Sequence, residues 1–298
     1  MTTSERATLA PTLRQQWTVG DATIVSVVEA ETAHIPPEFF FPGVDAAAMK
    51  EQPWLVPDFV DEHGNITLRV QAIVIDQPGR RVLVDPCVGN DKVRMLPFWN
   101  QQSFPFMENF AAAGFDAESI DLVVHTHLHA DHVGWDTHLL DGAWVPTFTS
   151  ARHLYTEAEL EFCRQADETS GEGVYGDSVA PIVAAGLADI VDGNTDLGDG
   201  LRLESTPGHT PGHVSLWLES GGETALITGD FVHHPAQCGQ PSWLEVGDQD
   251  AKMAEATRRR MLARAAELGA LFVGTHFPTH PAGRITRDGS AWRFVPVT

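Results

Sequence analysis

Fourteen histidines are spread unevenly along this chain, and six of them fall in two short segments. The first segment, residues 125–132, begins at the end of the predicted strand 120–125 and contains His125 followed by His127-Leu128-His129-Ala130-Asp131-His132. Because alternate side chains of an extended chain face the same way, residues 127 and 129 can converge on one point, and residues 131 and 132 can serve a neighbouring point. Imidazole and carboxylate groups without a thiolate suit zinc or another borderline divalent ion. The segment therefore predicts a metal-binding loop at the end of a strand.

Three further segments repeat this order of apolar strand, small residues and a metal-type ligand. Residues 205–213 place His209 and His213 in a turn whose two prolines and two glycines fix the backbone without filling space. Asp230 follows Thr-Gly after one apolar stretch, and His276 follows Gly-Thr after another. A single match of this kind would carry no information. Four such segments in one chain are specific, and together they indicate a metal centre.

The elements that must position these residues are strands that lead into them and helices that follow. Stretches rich in β-branched and apolar residues predict strands, whereas an amphipathic pattern or a glycine at the C-terminal end indicates helices. The predicted strands are residues 23–30, 66–76, 81–85, 120–125, 201–205, 214–219, 224–230 and 271–274. The predicted helices are residues 106–113, 157–165 and 250–268. Strands that lead and helices that trail in both halves of the chain predict layered α/β packing.

The domain organisation is expected to be simple, with residues 1–22 as an N-terminal arm and residues 23–298 as a single domain. Residues 31–57 hold five prolines together with the aromatic side chains Phe39, Phe40, Phe41 and Trp54. Prolines oppose regular structure and aromatic side chains oppose free solvation, so this stretch predicts a long ordered loop. This loop and residues 96–106 are together expected to cover the edge of the fold where the metal ligands lie. A dimer surface is the alternative role for these aromatic side chains.

Composition narrows the classes of partner. The 298 residues include 41 acidic and 19 basic side chains, and the net charge of −22 repels phosphate backbones and anionic lipid surfaces. We therefore expect a small-molecule substrate, with neither nucleic acid nor a membrane as partner, and leave a homodimer open. Three widely spaced cysteines without a Cys-x-x-Cys pair indicate neither a disulfide framework nor a cysteine-rich zinc site. Because the chain also lacks an apolar signal segment or membrane span, a cytoplasmic protein is expected.

The four segments resemble those of the metallo-β-lactamase-fold superfamily of metallohydrolases, and the resemblance covers residues 23–287. The superfamily's His-x-His-x-Asp-His motif, the histidine of its Thr-Pro-Gly-His turn, its bridging aspartate and its last histidine all have counterparts here. The resemblance implies two adjacent metal sites, with His127, His129 and His209 at the first, Asp131, His132 and His276 at the second, and Asp230 bridging both. The implied fold is α/β, an αββα sandwich with two mixed β-sheets back to back, helices outside and the metals at one edge.

One branch of the superfamily is the most similar. Three features look like the branch of N-acyl homoserine lactonases, 4-pyridoxolactonase and methyl parathion hydrolase: the spacing of 77 positions from His132 to His209, the long N-terminal portion and the C-terminal Gly-Thr-His-Phe-Pro-Thr-His-Pro segment. This resemblance implies a hydrolase whose two divalent ions share a bridging hydroxide that opens a lactone or cleaves an aryl ester or a phosphotriester. Zinc is the expected metal, with manganese or iron as alternatives. Asp131 would orient the nucleophile and pass a proton to the leaving group.

Four further histidines lie next to the ligand motifs. His233 and His234 follow the bridging aspartate, where related lactonases carry a tyrosine that helps to polarise the substrate carbonyl. One of the two is expected to act in catalysis, with packing as the alternative. His125 and His213 are expected to hydrogen-bond to the ligands or to be buried, and not to bind a metal.

Other functions remain open on the same fold. An iron-dependent oxidoreductase of the persulfide dioxygenase type would hold a single iron through the first ligand set. The presence of His132 and His276 completes a second set and favours the dinuclear hydrolase. A β-lactam hydrolase and a catalytically silent metal-binding protein are the remaining alternatives.

Overall fold

The computed structural model describes residues 14–297, where sixteen strands form two seven-stranded sheets and one two-stranded hairpin. The first sheet contains, in spatial order, β1 (Arg14–Val19), β2 (Ala22–Ile35), β3 (Ile66–Gln77), β4 (Arg80–Val84), β5 (Leu122–Val124), β8 (Arg152–Thr156) and β9 (Ala188–Val191). The second contains β10 (Asp196–Gly198), β11 (Leu201–Ser205), β12 (Val214–Ser220), β13 (Glu223–Ile227), β14 (Leu271–Val273), β15 (Ala282–Asp288) and β16 (Ala291–Pro296). The hairpin is β6 (Thr137–Leu140) with β7 (Ala143–Pro146). Both large sheets mix parallel and antiparallel pairs.

Seven α-helices and several single turns connect the strands within this range. The helices are α1 (Pro37–Phe40), α2 (Ala46–Lys50), α3 (Phe106–Ala112), α4 (Glu157–Ser170), α5 (Ala180–Ala184), α6 (Ala236–Gly239) and α7 (Ala251–Leu268). The 3₁₀ turns are Pro53–Leu55, Ala117–Ser119, Gly134–Asp136 and Gly229–Phe231, and Tyr175–Val179 is a π-helical turn. None of the helices in residues 14–297 combines the length and the apolar character that crossing a bilayer requires.

Successive side chains of a strand face opposite sides of the sheet, and this alternation explains how sheets and helices are layered. Ile73 of β3 lies in a buried cluster with Leu216 of β12, so this face packs against the second sheet. The next residue, Val74, lies on the opposite face in a cluster with Phe110 of α3. This period of two is what a strand with one face on the sheet interface and one on a helix requires.

The second sheet alternates in the same way. Ile227 of β13 belongs to the cluster between the sheets, whereas its neighbour Leu226 belongs to an outer cluster with Leu262 of α7. Asp250 caps the N-terminus of α7 by accepting hydrogen bonds from two backbone N–H groups, and Gly269 ends it in the left-handed conformation. Helices therefore cover the outside of both sheets, which confirms the predicted αββα sandwich.

Strand direction brings the ligand segments together. β4 and β5 run parallel in the first sheet, and β13 and β14 run parallel in the second. The residues that follow their C-terminal ends are residues 85, 125–132, 228–230 and 274–276. Parallel strands expose equivalent ends at one edge, so the segments of each sheet reach one edge of that sheet. The contact of His132 with Asp230 at 3.2 Å shows that the two edges lie on the same side of the sandwich.

The N-terminal boundary differs from the prediction. β1 pairs antiparallel with β2 from Arg14 onwards, so the arm assigned to residues 1–22 is too long and residues 14–22 belong to the first sheet. β1 is an edge strand with several exposed side chains, which is why its sequence, Arg-Gln-Gln-Trp-Thr-Val, has too few apolar residues to indicate a strand. The rest of the predicted arm, residues 1–13, lies outside the described residues.

Residues 31–57 are also more regular than predicted. β2 continues to Ile35, and α1, α2 and a 3₁₀ turn follow. Pro37 and Pro53 stand in the first turns of α1 and of the 3₁₀ turn. Proline fits there because the first N–H groups of a helix have no partner within the helix, so the prolines mark starts of short helices.

We predict that Gly134→Ala destabilises the fold by about 1–3 kcal/mol or more, as expected for overpacking. A methyl group at Gly134 would collide with the backbone carbonyl oxygen of Val88. Because this oxygen belongs to the backbone, it cannot move aside by a side-chain rotation. Urea unfolding of the two proteins measures the difference in free energy. Gly176→Ala is the matched control, because its nearest neighbour would be the Asp167 carboxylate at 3.9 Å. Equal stability of Gly134→Ala and the wild type would contradict this reading.

Candidate metal centre

Three imidazole nitrogens converge at the end of β5. His129 Nδ1 lies 3.1 Å from His127 Nε2 and 2.9 Å from His209 Nε2. Burial, followed by the effect of neighbouring imidazoles, lowers the pKa of His127 and His129 well below its usual value. Both rings are therefore neutral and offer lone pairs, as metal ligation requires.

A second group lies beside the first. His132 Nε2 is 3.3 Å from His276 Nε2, and the Asp131 carboxylate places Oδ1 3.7 Å from His132 Nε2 and Oδ2 3.6 Å from His276 Nε2. Burial alone would lower the pKa of His276, but the Asp230 and Asp131 carboxylates outweigh it and raise that pKa to about 9. The local field therefore favours a cation at this position, either a proton or a metal ion.

Asp230 lies between the two groups. Its Oδ2 is 3.7 Å from His127 Nε2 and 3.8 Å from His209 Nε2 on one side, and 3.2 Å from His132 Nε2 and 3.1 Å from His276 Nε2 on the other. Burial raises the pKa of the Asp230 carboxyl, but the surrounding imidazoles reverse this effect and hold it well below its usual range. An ionised carboxylate in this position is suited to bridge two cations.

Four of the five candidate ligand histidines, all except His129, have a neighbour at the other ring nitrogen, and such a neighbour fixes the ring orientation. Hydrogen-bond partners are Thr126 Oγ1 for His127 at 3.1 Å, Asp248 Oδ1 for His209 at 3.1 Å and the Arg69 carbonyl for His276 at 2.7 Å, whereas His132 Nδ1 has the Asp85 carboxylate 3.1 Å away without an aligned hydrogen bond. Sequence reasoning missed all of these partners. Asp85 could have been found, since it follows an apolar strand as the ligands do, whereas nothing in the sequence marks Asp248.

His213 supports the bridging aspartate and is not part of either ligand group. Its Nε2 accepts a hydrogen bond of 2.8 Å from the Asp230 backbone N–H, and its Nδ1 lies 2.8 Å from Thr206 Oγ1. Burial lowers the pKa of His213 to about 3, so the ring stays neutral and can accept this bond. Gly229 is left-handed with φ of 57°, and a Cβ there would meet His213 Nε2 at 2.6 Å. The expectation that His213 binds hydrogen-bond partners therefore fits its contacts.

The two histidines after Asp230 differ. His233 Nε2 is 3.1 Å from Asp230 Oδ2 and 3.9 Å from the buried Glu245 carboxylate, a residue that the sequence did not indicate. His234 faces away from the centre, because its Nε2 contacts the Phe59 carbonyl at 3.0 Å and its Nδ1 accepts from the Ala236 N–H at 3.1 Å. The candidate catalytic role of His234 is therefore wrong, since both of its ring nitrogens bind backbone groups. His233 remains a candidate.

The residues present fit a pair of divalent ions. One set offers three imidazole nitrogens and the other offers two imidazole nitrogens and a carboxylate oxygen, and the donor atoms within each set lie within 4.8 Å of one another. All of these residues are buried except His129, which is half-buried. Asp230 Oδ1 is buried without a hydrogen-bond partner in residues 14–297. A buried carboxylate oxygen without a partner is costly, and coordination to a metal would remove that cost.

Comparison with known proteins identifies the family. The profile of the Metallo-beta-lactamase superfamily matches residues 66–268, which is more than half of the chain. The chain belongs to this superfamily. Within the metallo-beta-lactamase superfamily, it is similar to the N-acyl homoserine lactonase AttM of Rhizobium radiobacter, with 33% identity over 136 residues that cover 43% of this chain and 47% of that protein. An N-acyl homoserine lactonase of a Bacillus species is 30% identical over 107 residues, 36% of each chain. The matched stretches span less than half of these relatives.

Solved metallo-beta-lactamase structures extend the likeness of fold to nearly the whole chain. The hydrolase AbOPH of the beta lactamase superfamily superposes with a TM-score of 0.78 at 23% identity, over 96% of this chain and 97% of that one. AidC, described as a dizinc quorum-quenching lactonase in complex with the product N-hexnoyl-L-homoserine, gives a TM-score of 0.76 at 20% identity with the same coverage. At these identities the likeness establishes the fold.

We predict that His209→Ala removes much more bound metal than His213→Ala. His209 directs a ring nitrogen into the first ligand group, whereas His213 only holds the Asp230 backbone and Thr206. Elemental analysis of each purified variant, with circular dichroism as a control for folding, measures the effect. Equal metal loss in both folded variants would show that the ligand in this turn is wrongly assigned.

Proposed function

We propose that this chain is a dinuclear metallohydrolase that opens lactones or cleaves aryl esters, with phosphotriesters as a further substrate class. The observation that supports this most directly is Asp230 Oδ2, which lies within 3.8 Å of imidazole nitrogens from both ligand groups. Two divalent ions at such a centre supply a hydroxide nucleophile at neutral pH and a Lewis acid for the developing oxyanion. Zinc is the metal that we propose, because the donors are imidazoles and carboxylates.

Asp131 is proposed as the group that moves protons. Its carboxylate faces His132 and His276 and is only 8% exposed, so it lies at the base of the reaction site. A carboxylate in this position can orient the attacking oxygen, accept its proton and deliver a proton to the leaving oxygen. No nucleophilic serine or cysteine is needed, and no covalent intermediate with the protein is expected.

His233 is proposed to orient the substrate carbonyl. Its ring centre lies 4.7 Å from that of His209 and 5.7 Å from that of His276, so it faces both ligand groups. Imidazole can donate a hydrogen bond to a carbonyl oxygen as negative charge develops there. Glu245 lies near both His233 and His209 and limits the directions that these rings can take.

The substrate class is argued from the apolar side chains beside His233. Phe40 makes an edge contact with the His233 ring, with centres 5.4 Å apart, and its carbonyl accepts the Val246 N–H at 3.0 Å. Phe39 and Val246 are 56% and 65% exposed next to this contact. Apolar groups at the rim of a metal centre suit an acyl chain or an aryl group.

The second predicted cover segment, residues 96–106, contributes less than expected. Phe104 and Phe106 are buried in the cluster between the first sheet and α3, and Trp99 packs against the same cluster. Their aromatic rings stabilise this outer layer, so the proposed substrate contacts are limited to the rim around Phe40.

The alternative functions have less support than the dinuclear hydrolase. A mononuclear iron oxidoreductase would leave Asp131, His132 and His276 without a role, although they form a complete second group. A β-lactam hydrolase has no residue here that favours it over a lactonase. A cytoplasmic location and a homodimer remain predictions of the sequence.

The proposal is tested with a panel of N-acyl homoserine lactones, aryl esters and phosphotriesters on protein whose zinc, manganese and iron content is measured. We expect two ions per chain at this centre and hydrolysis that disappears on chelation and returns with zinc. Asp230→Ala should lose both ions and nearly all activity. A protein that reproducibly holds one iron and hydrolyses no member of the panel would refute the proposal, as would an acyl-enzyme detected by mass spectrometry.

We also predict that Phe40→Ala changes the preference among acyl chain lengths while the metal content stays the same, because the ring of Phe40 packs on His233, which belongs to neither proposed ligand group. Relative kcat/KM values for short and long acyl chains measure the effect. Leu140→Ala is the control, since this exposed apolar side chain lies in the β6–β7 hairpin and not at the rim. Unchanged selectivity in Phe40→Ala, with a dissociated dimer, would instead assign the rim to a subunit interface.

A further inference from the structure

A separate group of metal-type side chains flanks the ligand loop. His125 directly follows β5, Asp136 ends the 3₁₀ turn after the loop, and His153 lies in β8. His125 is 3% exposed, and Asp136 and His153 are fully buried. The proposed hydrolysis uses none of these three side chains.

The Asp136 carboxylate lies between the two imidazoles. Its Oδ2 is 2.8 Å from His125 Nε2, and its Oδ1 is 3.1 Å from His153 Nδ1. The two rings are nearly parallel, with 17° between their planes and 5.9 Å between their centres. One donor atom from each residue lies within 4.8 Å of the other two.

These short distances do not correspond to aligned hydrogen bonds. Within residues 14–297, four buried atoms of the group lack a hydrogen-bond partner, namely His125 Nε2, Asp136 Oδ1 and both ring nitrogens of His153. His125 Nδ1 lies 3.1 Å from the Leu154 carbonyl, which can only accept, so the hydrogen of the neutral ring is on Nδ1. The lone pair of His125 Nε2 then faces a carboxylate. Two buried electron-pair donors in this arrangement require a cation between them, either a proton or a metal ion.

We propose that His125, Asp136 and His153 bind a further divalent metal ion of the zinc class, distinct from the two ions of the hydrolytic centre. Two imidazole nitrogens and the two carboxylate oxygens supply four donor atoms, the number typical of structural zinc sites. Zinc–ligand distances of about 2.0–2.1 Å fit donor atoms that are about 3 Å apart. Such an ion would fasten both ends of the ligand loop to β8.

The surroundings of the three ligands agree with this role. The Tyr155 hydroxyl donates to Asp136 Oδ2 at 3.2 Å, and the Leu154 carbonyl accepts from His125, so two ligands are oriented by groups that do not bind the ion. Metal-ligating side chains usually have such partners. The Tyr155 ring also stacks on His125, with centres 4.6 Å apart.

The test is the number of zinc ions per chain after zinc loading and removal of loosely bound metal. We expect three ions in the wild type and one fewer in Asp136→Asn and in His153→Gln. His138→Gln is the matched control, because His138 contacts Thr147 and belongs to neither group, and it should retain three ions. Circular dichroism confirms that each variant is folded. If Asp136→Asn does not fold, the zinc content of His153→Gln and anomalous scattering at the zinc edge test the proposal.

Two measurements separate this site from the hydrolytic centre. Asp230→Ala should lose two ions and keep one, and anomalous scattering at the zinc edge from wild-type crystals should give a peak between His125 and Asp136. If the hydrolytic centre held fewer ions than proposed, the difference of one ion between the wild type and His153→Gln would remain. Equal zinc content in the wild type and His153→Gln, without an anomalous peak at Asp136, would overturn the proposal and assign a proton to this position.

Discussion

The rest of the structure depends on the burial of one carboxylate oxygen, Asp230 Oδ2, among imidazole nitrogens. Four metal-type histidines direct a ring nitrogen to within 3.8 Å of this atom. Bringing so many polar groups out of water is unfavourable unless cations occupy the space between them. The proposed metal binding would therefore be coupled to folding at this edge of the sandwich. The glycine and small residues before each ligand fit the same constraint, because the backbone must approach closely.

Support for this centre extends to the outer helical layer. Arg258 of α7 is fully buried, donates to the Phe231 carbonyl at 2.8 Å and lies 3.3 Å from Asp248 Oδ2. Asp248 in turn contacts His209 Nδ1 at 3.1 Å. A buried guanidinium needs several acceptors, and these contacts provide them. The packing of α7 is thus linked to the orientation of one metal ligand, so α7 contributes to the site as well as to the core.

The sequence predicts the centre better than its surroundings, and the reason is physical. Each ligand segment follows an apolar strand within a few residues, so strand periodicity and ligand type together place it at a sheet edge. Asp85 follows the same rule and was available to this reasoning, whereas Asp248 and Glu245 lie in a loop whose conformation depends on α7 and Arg258. The sequence also did not predict the short helices after residue 35, because a high proline content excludes long helices but allows helices of a single turn. The difference between His233 and His234 depends on which one meets the backbone of residue 59, and local sequence cannot show this.

A buried glutamate explains how two ligand turns from different sheets keep a fixed distance. Glu159 of α4 accepts hydrogen bonds from the Leu128 N–H at 3.2 Å and from the Gly212 N–H at 2.7 Å. It therefore connects the loop after β5 with the turn after β11, and a Cβ at Gly212 would crowd the first turn of α4. The metal ligands thus lie on segments that are held from several sides. The rim around Phe40 and Val246 is instead built from a helix of four residues and an exposed loop. Substitutions at the rim can change the shape that a substrate meets without moving the ligands, so selectivity and metal binding can vary independently in this fold.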